Sequence, residues 1–291
     1  MTILGLACIL VAAFLHASWN LIAKRAQGGA VFTWLIDTCG VVVWAPVVLG
    51  FVIATQPQFT LTKIGVISVS VLFQVGYLWS LQRGYRVGDF SLVYPIARGT
   101  GAGGAVIGAI FLLGEDVTIF GALGILCLLA GILILTIGKP KSSQTQNPAW
   151  KGVAFGLLTG LFIMSYTLWD KNAVTDLAIA PIVLYYGVLS GRALLLTPLA
   201  LRSRDTLRMH WQNHRKHAIS IAILMTLSYV LVLTALTFTP ASSVAPAREI
   251  SILFGTLMGQ QLLAEQQGKQ RIIAASLIVC GLATIVAAGT P

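Results

Sequence analysis

Charge is what this sequence has least of. Of its 291 residues, 19 are basic and 9 acidic, and charged side chains make up 10% of the chain, against about 25% in an ordinary soluble protein. So few charges cannot clothe a water-exposed surface of this size, and a mean hydropathy of +0.87 agrees. A soluble enzyme, a nucleic-acid binder and a secreted disulfide scaffold are excluded together. Cysteine is also scarce: Cys8, Cys39, Cys127 and Cys280 each lie inside an apolar run. With no short-range pairing they read as small apolar residues, without a disulfide or metal role. There is no Walker A sequence and no H-E-x-x-H, so nothing points to nucleotide hydrolysis, an intramembrane metalloprotease or a cofactor. No basic residue precedes the first apolar run. The charged region of a cleaved signal peptide is therefore lacking, and the first run is expected to stay in the mature chain.

What is present is apolar sequence in blocks of membrane-crossing length. Polar punctuation divides it into ten, at 3–23, 30–54, 64–82, 89–113, 117–138, 150–170, 178–200, 217–238, 241–263 and 270–289. About 20 residues of helix cross a bilayer, and helices satisfy their own backbone hydrogen bonds there. The fold expected is an all-α integral membrane protein of ten transmembrane helices. The longest expected loops are Lys139–Pro148 and Arg202–Lys216.

The chain repeats itself. Ser18, Leu21, Lys24 and Ala26 recur as Ser165, Leu168, Lys171 and Ala173, at an offset of 147. Val93, Pro95 and the pair Ala97-Arg98 recur as Val244, Pro246 and Ala247-Arg248; Leu112-Leu113 with Glu115 recurs as Leu262-Leu263 with Glu265. Polar matches in order at nearly constant offset are hard to obtain by chance. The division is 1–138 for the first repeat, 139–149 for the connection and 150–291 for the second. Five spans per repeat is odd, so the second repeat enters the membrane from the opposite side, the inverted arrangement that builds midplane sites. Both repeats lie in one chain, so no obligate protein partner is implied.

Basic residues set the orientation. Fourteen fall in one alternating set of loops and only Lys63 and Lys171 in the other, which places both termini outside the cytoplasm. Lys171 stands on the wrong side. Either it snorkels to the interface or it has a role beyond topology.

Ionisable residues inside spans are functional candidates by default: His16, Asp37, Arg98, Arg248 and Glu249. Arg98 and Arg248 lie roughly 13 and 12 Å into their spans at 1.5 Å per residue, near the midplane of a core about 30 Å thick. Pro95 and Pro246 free carbonyls just before them. His16 and Asn20 share a helix face beside Trp19, Tyr166 and Trp169 occupy the aligned stretch of span six, and Tyr77 and Tyr229 take comparable places in spans three and eight. Glu249 is positioned to neutralise Arg98 or Arg248, or to carry a proton. Asp37 is a second proton-coupling candidate, its alternative being an ion pair with a neighbouring helix. Gly99-Thr100-Gly101-Ala102-Gly103-Gly104 fits G-x-G-x-x-G, but lies inside a span. There it lets helices approach and binds no dinucleotide.

His-Ala-Ser-Trp-Asn-Leu-Ile-Ala-Lys in span one, Val-Tyr-Pro-Ile-Ala-Arg-Gly in span four and Ala-Pro-Ala-Arg-Glu-Ile in span nine resemble the EamA family of the drug/metabolite transporter superfamily. The resemblance implies a secondary transporter, commonly an exporter of amino acids or other metabolites, in a bacterial inner membrane. It implies a cavity lined by the first, third and fourth spans of each half, which places His16, Trp19, Asn20, Tyr77, Tyr94, Arg98, Tyr166, Trp169, Tyr229, Arg248 and Glu249 at or near it. Small multidrug members of the superfamily carry an acid in span one, and this chain has His16 there. Two arginines against one glutamate suit a carboxylate, phosphonate or zwitterion better than a lipophilic cation. The expected partners are a small-molecule substrate and the lipid bilayer, with no nucleic acid. The competing readings are a non-transporting membrane scaffold or sensor, a transporter of cationic drugs and a membrane-embedded enzyme. For the last there is no nucleophile–base constellation.

Overall fold

The computed structural model describes residues 2–26, 29–87, 90–136, 149–254, 258 and 269–288. These residues form ten helices and, among themselves, no strand: α1 (Ile3–Ala26), α2 (Ala30–Thr55), α3 (Leu61–Val87), α4 (Phe90–Leu113), α5 (Ile119–Thr136), α6 (Ala149–Thr175), α7 (Pro181–Arg202), α8 (Arg204–Phe238), α9 (Ala241–Arg248) and α10 (Lys269–Ala287). Among the described residues, α1, α2, α3, the 96–113 part of α4, α6, α7 and α8 are long and apolar enough to cross a membrane; α5 and α10 carry shorter apolar stretches, 119–131 and 276–285. The chain is a multi-pass membrane protein.

Two elements differ from the sequence expectation. Arg204–Lys216, expected as loop, is helix. Ser203 alone separates α7 from α8, and nothing in 204–216 is glycine or proline. His210, His214 and His217 fall on one helical face and stack at 5.9 and 5.7 Å, with Phe32 of α2 5.1 Å from His210. The polar start of α8 thus packs on the start of α2, which hydropathy alone does not register. The other expected loop, Lys139–Pro148, lies outside the described residues.

The ninth span is interrupted. Pro246 sits inside α9, and the chain then tightens: the Glu249 N–H donates to the Pro246 carbonyl at 3.0 Å and the Ile250 N–H to the Ala247 carbonyl at 3.2 Å. Helix resumes at residue 251. Such i→i+3 bonding, with three residues per turn, separates Arg248 from Glu249 by about 120° around the axis.

Small residues hold the bundle together. A Cβ at Gly160 would lie 2.5 Å from Thr100 Cβ, and one at Gly101 2.6 Å from Ile163, so α4 and α6 meet nearly backbone to backbone. At the α5–α10 crossing a Cβ at Gly124 would lie 2.8 Å from the Gly281 carbonyl oxygen. Without a hydrophobic drive in lipid, such close approach is how helices associate. Ser228 of α8 donates to the Ala12 carbonyl of α1 at 2.8 Å.

The corner between α8 and α9 is clasped from both sides. Glu115 accepts the Ala241 and Ser242 N–H groups at 2.6 and 2.9 Å, capping the positive end of α9. Lys171 donates to the Leu236 and Thr239 carbonyls at 2.7 and 3.1 Å, capping the negative end of α8. The Lys171 ammonium is thus bound to backbone carbonyls. Glu115, one of the residues matched between the repeats, shares this task.

Candidate functional site

The interruption in span nine places Arg248 and Glu249 at the middle of the bundle. Arg98 of α4 donates from one terminal nitrogen to Glu249 Oε1 at 3.0 Å, and its other terminal nitrogen lies 3.2 Å from Nε2 of His16 on α1. Glu249 is 2% exposed, and its second oxygen, Oε2, has no hydrogen-bond partner. Arg248 turns to α6. It donates to the Tyr166 hydroxyl at 3.1 Å, with its guanidinium 5.8 Å from that ring's centroid. Tyr166 is the hub of an aromatic cluster, with Tyr77 of α3 at 6.0 Å and Tyr229 of α8 at 6.2 Å between centroids. Tyr229 also stacks at 4.8 Å on Tyr185 of α7. The His16 ring meets Trp19 edge-on at 4.8 Å.

Of the residues singled out from the sequence, His16, Arg98 and Glu249 form one hydrogen-bonded group, with Trp19 at its rim, and Arg248, Tyr166, Tyr77 and Tyr229 a second, the two joined through the adjacent residues Arg248 and Glu249. Trp19 packs on α2 and α8 through Phe32, Ile221 and their neighbours. Asn20 is exposed and returns its amide to the His16 carbonyl at 2.7 Å. Trp169 donates its indole N–H to the Val66 carbonyl at 2.9 Å and packs on Phe73, which ties α6 to α3 rather than facing the arginines. The side chains of Tyr94 and Pro95 lie outside the described residues.

Asp37 sits elsewhere. Arg192 of α7 grips both of its oxygens, donating from Nε at 3.1 Å and from a terminal nitrogen, and gives its remaining terminal nitrogen to Gln74 Oε1 at 3.0 Å. This is the ion-pair alternative stated for Asp37, with both charges matched inside the α2–α3–α7 contact.

Two residues escaped the sequence reading. Arg192 was visible as a basic residue within a span, but it lacks a repeat partner to mark it. Asp170 was hidden twice over. Its span was expected to end at 170, placing it at the interface, whereas α6 continues to Thr175. Its repeat counterpart at offset 147 is Ala23. In the structure Asp170 is fully buried and accepts hydrogen bonds from Ser70 and, at 2.7 Å, from Tyr229. The signal available was an acid in an otherwise apolar helix.

A groove of about 840 Å³ lies away from this centre, between α2, α3 and α7. Its lining, including Val48, Leu49, Phe59, Ile64 and Ile67, is mostly apolar, and its hydroxyls, on Ser68 and Tyr186, donate to the Ile64 and Val41 carbonyls, so it offers little with which to recognise a polar ligand. Among the described residues no cluster has the composition of a metal site.

Fold and site together define a polytopic helical membrane protein with a charged centre inside its bundle. Residues 150–287 match the EamA-like transporter family. That family lies within the drug/metabolite transporter superfamily, and its members are transporters rather than enzymes. No curated protein matches the chain. Among solved structures, one described only as a crystal structure of a protein superposes with a TM-score of 0.76, at 16% identity, over 96% of this chain and 95% of its own. At that identity the likeness concerns the fold.

Proposed function

We propose that the protein is a secondary transporter of a small carboxylate or zwitterion, such as an amino or organic acid, in a bacterial inner membrane with both termini outside the cytoplasm. In this reading residues 1–138 and 150–291 are two five-helix repeats of inverted topology. Arg98 and Arg248, at matching places in the two repeats, meet near the midplane because the repeats enter from opposite faces.

The single observation that carries the reading is the imbalance at the centre. Among the described residues, two guanidinium groups, Arg98 and Arg248, stand beside Glu249, whose carboxylate has one oxygen taken by Arg98. An unmatched positive charge in the membrane interior is costly. A ligand carboxylate beside Arg248 would neutralise it with two charge-assisted hydrogen bonds. The tyrosines around Tyr166 offer hydroxyls and ring faces to the rest of the ligand. A lipophilic cation would meet net positive charge instead.

The test is uptake by vesicles of purified protein from a panel of glycine, glutamate, succinate, phosphonoacetate and tetraphenylphosphonium, with and without a pH gradient. The expected result is saturable uptake of at least one acid. Uptake of tetraphenylphosphonium alone would overturn the substrate class, and no uptake of any member would favour a scaffold or sensor.

A further inference from the structure

Asp170 has no place in the centre as described, yet it is tied to it. Both of its oxygens are occupied by neutral donors, the Ser70 hydroxyl on Oδ1 and the Tyr229 hydroxyl on Oδ2. The salt bridges among the described residues are Arg98–Glu249 and Arg192–Asp37, and neither involves Asp170. Lys171, its neighbour in sequence, is committed to the carbonyls ending α8. Counting from Thr175, where α6 ends, Asp170 is about 8 Å inside the helix. A carboxylate at such depth with no cation on it is either protonated or in exchange between the two states.

The elements packed on α6 bring a short set of titratable groups toward it. Tyr229 of α8 touches it directly. Tyr166 of α6 and Tyr185 of α7 stack on Tyr229, and Tyr77 of α3 stacks on Tyr166. Beyond Tyr166 stands Arg248, hydrogen-bonded to its hydroxyl. Arg98 of α4 and Glu249 are paired with each other. Ionised Asp170 and a bound ligand carboxylate would therefore both draw on the positive charge of Arg248.

Resting on the transporter reading above, we infer that Asp170 is the proton-binding site of the carrier, in competition with the ligand carboxylate for the field of Arg248 through the Tyr229–Tyr166 contact. The proton comes from the aqueous phase, forms an O–H bond on the Asp170 carboxylate and returns to water when that bond breaks. With Asp170 protonated, Arg248 is unneutralised and takes up an anion. With Asp170 ionised, Arg248 is partly neutralised and releases it. Linkage is reciprocal, so anion binding draws one proton onto the protein.

Two measurements test this. Infrared difference spectra of the ligand-free protein are recorded over a series of pH values. A carboxylic acid band that titrates and vanishes in Asp170→Asn is the expected result; spectra that do not differ between the two proteins overturn the inference. Binding of glycine, glutamate, succinate and phosphonoacetate is then followed by calorimetry in buffers of different ionisation heat. For the wild type, affinity should fall about tenfold per pH unit above the titration, with uptake of one proton. Asp170→Asn preserves the shape and both hydrogen-bonding positions. It should bind with a pH-independent affinity and no proton uptake. Tyr229→Phe should move the titration and keep the one-proton slope. Unchanged pH dependence in Asp170→Asn overturns the inference while leaving the transporter reading intact. If none of the four acids binds but the titrating band is present, the substrate reading fails and the proton site stands.

Discussion

Among the described residues the bundle contains two buried arginine–carboxylate centres, and they differ in how fully their hydrogen-bonding capacity is used. In Arg192–Asp37 both carboxylate oxygens are bonded to the guanidinium, and Gln74 takes the nitrogen that remains. In Arg98–Glu249 one carboxylate oxygen is unpartnered, the guanidinium divides itself between Glu249 and His16, and a second arginine stands alongside. The first also joins continuous helices, α2 and α7, whereas the second sits where the ninth span is interrupted. A saturated pair between rigid helices fixes their register. An unsaturated pair at a helix break has capacity left for something that comes and goes.

Substitutions can break that comparison, and the largest effect belongs to the saturated pair. Arg192→Ala would strand the buried Asp37 carboxylate and cost about 3–5 kcal/mol, read as a large fall in the thermal unfolding temperature of the detergent-solubilised protein. The apolar double substitution Asp37→Leu with Arg192→Met should recover much of that loss. If Arg192→Ala left stability unchanged, the two centres would not differ as described.

Next is the unsaturated centre, where the loss should fall on uptake. Arg98→Ala removes a charge-assisted bond worth about 1.5–3 kcal/mol, a reduction in uptake of about tenfold to a hundredfold. Its unfolding temperature should fall by less than that of Arg192→Ala. The reverse order, with stability lost and uptake kept, would make Arg98 a structural residue like Arg192.

Gly124→Val tests the frame away from both centres. The added side chain meets the Gly281 carbonyl and should cost about 1–3 kcal/mol by overpacking, while the affinity for any transported acid stays unchanged. The smallest effect is expected at the α8–α9 corner. Glu115→Gln weakens the cap on Ala241 and Ser242, for about 0.5–2 kcal/mol. Faster hydrogen exchange at those two amides, with little change elsewhere, would show that the corner holds α9 locally.

Much of this was legible in the sequence because the bilayer imposes simple rules. The helices fall close to where the apolar blocks fall, with ends displaced by a few residues, as in α3, which runs 61–87 against an expected 64–82. Repeat matching picked out Arg98 and Arg248, and adjacency picked out Glu249; only the structure chose Arg98 as its partner. What escaped has physical reasons. Hydropathy does not register the interruption at Glu249–Ile250, because Ile250, Ile252 and Leu253 continue the apolar run. It also misreads a polar helix such as the start of α8 as a loop. Asp170 was lost to a boundary error of five residues, enough to turn a buried acid into an interfacial one.

The most direct test of the central claim is counterflow of labelled substrate in vesicles of the wild type and of Arg248→Ala, using whichever of glycine, glutamate, succinate or phosphonoacetate the wild type moves. The account predicts saturable counterflow in the wild type and a loss of at least about tenfold in apparent affinity for Arg248→Ala, the worth of one charge-assisted hydrogen bond. Equal affinity in the two proteins would contradict it, because the unmatched arginine would then have no part in holding the ligand.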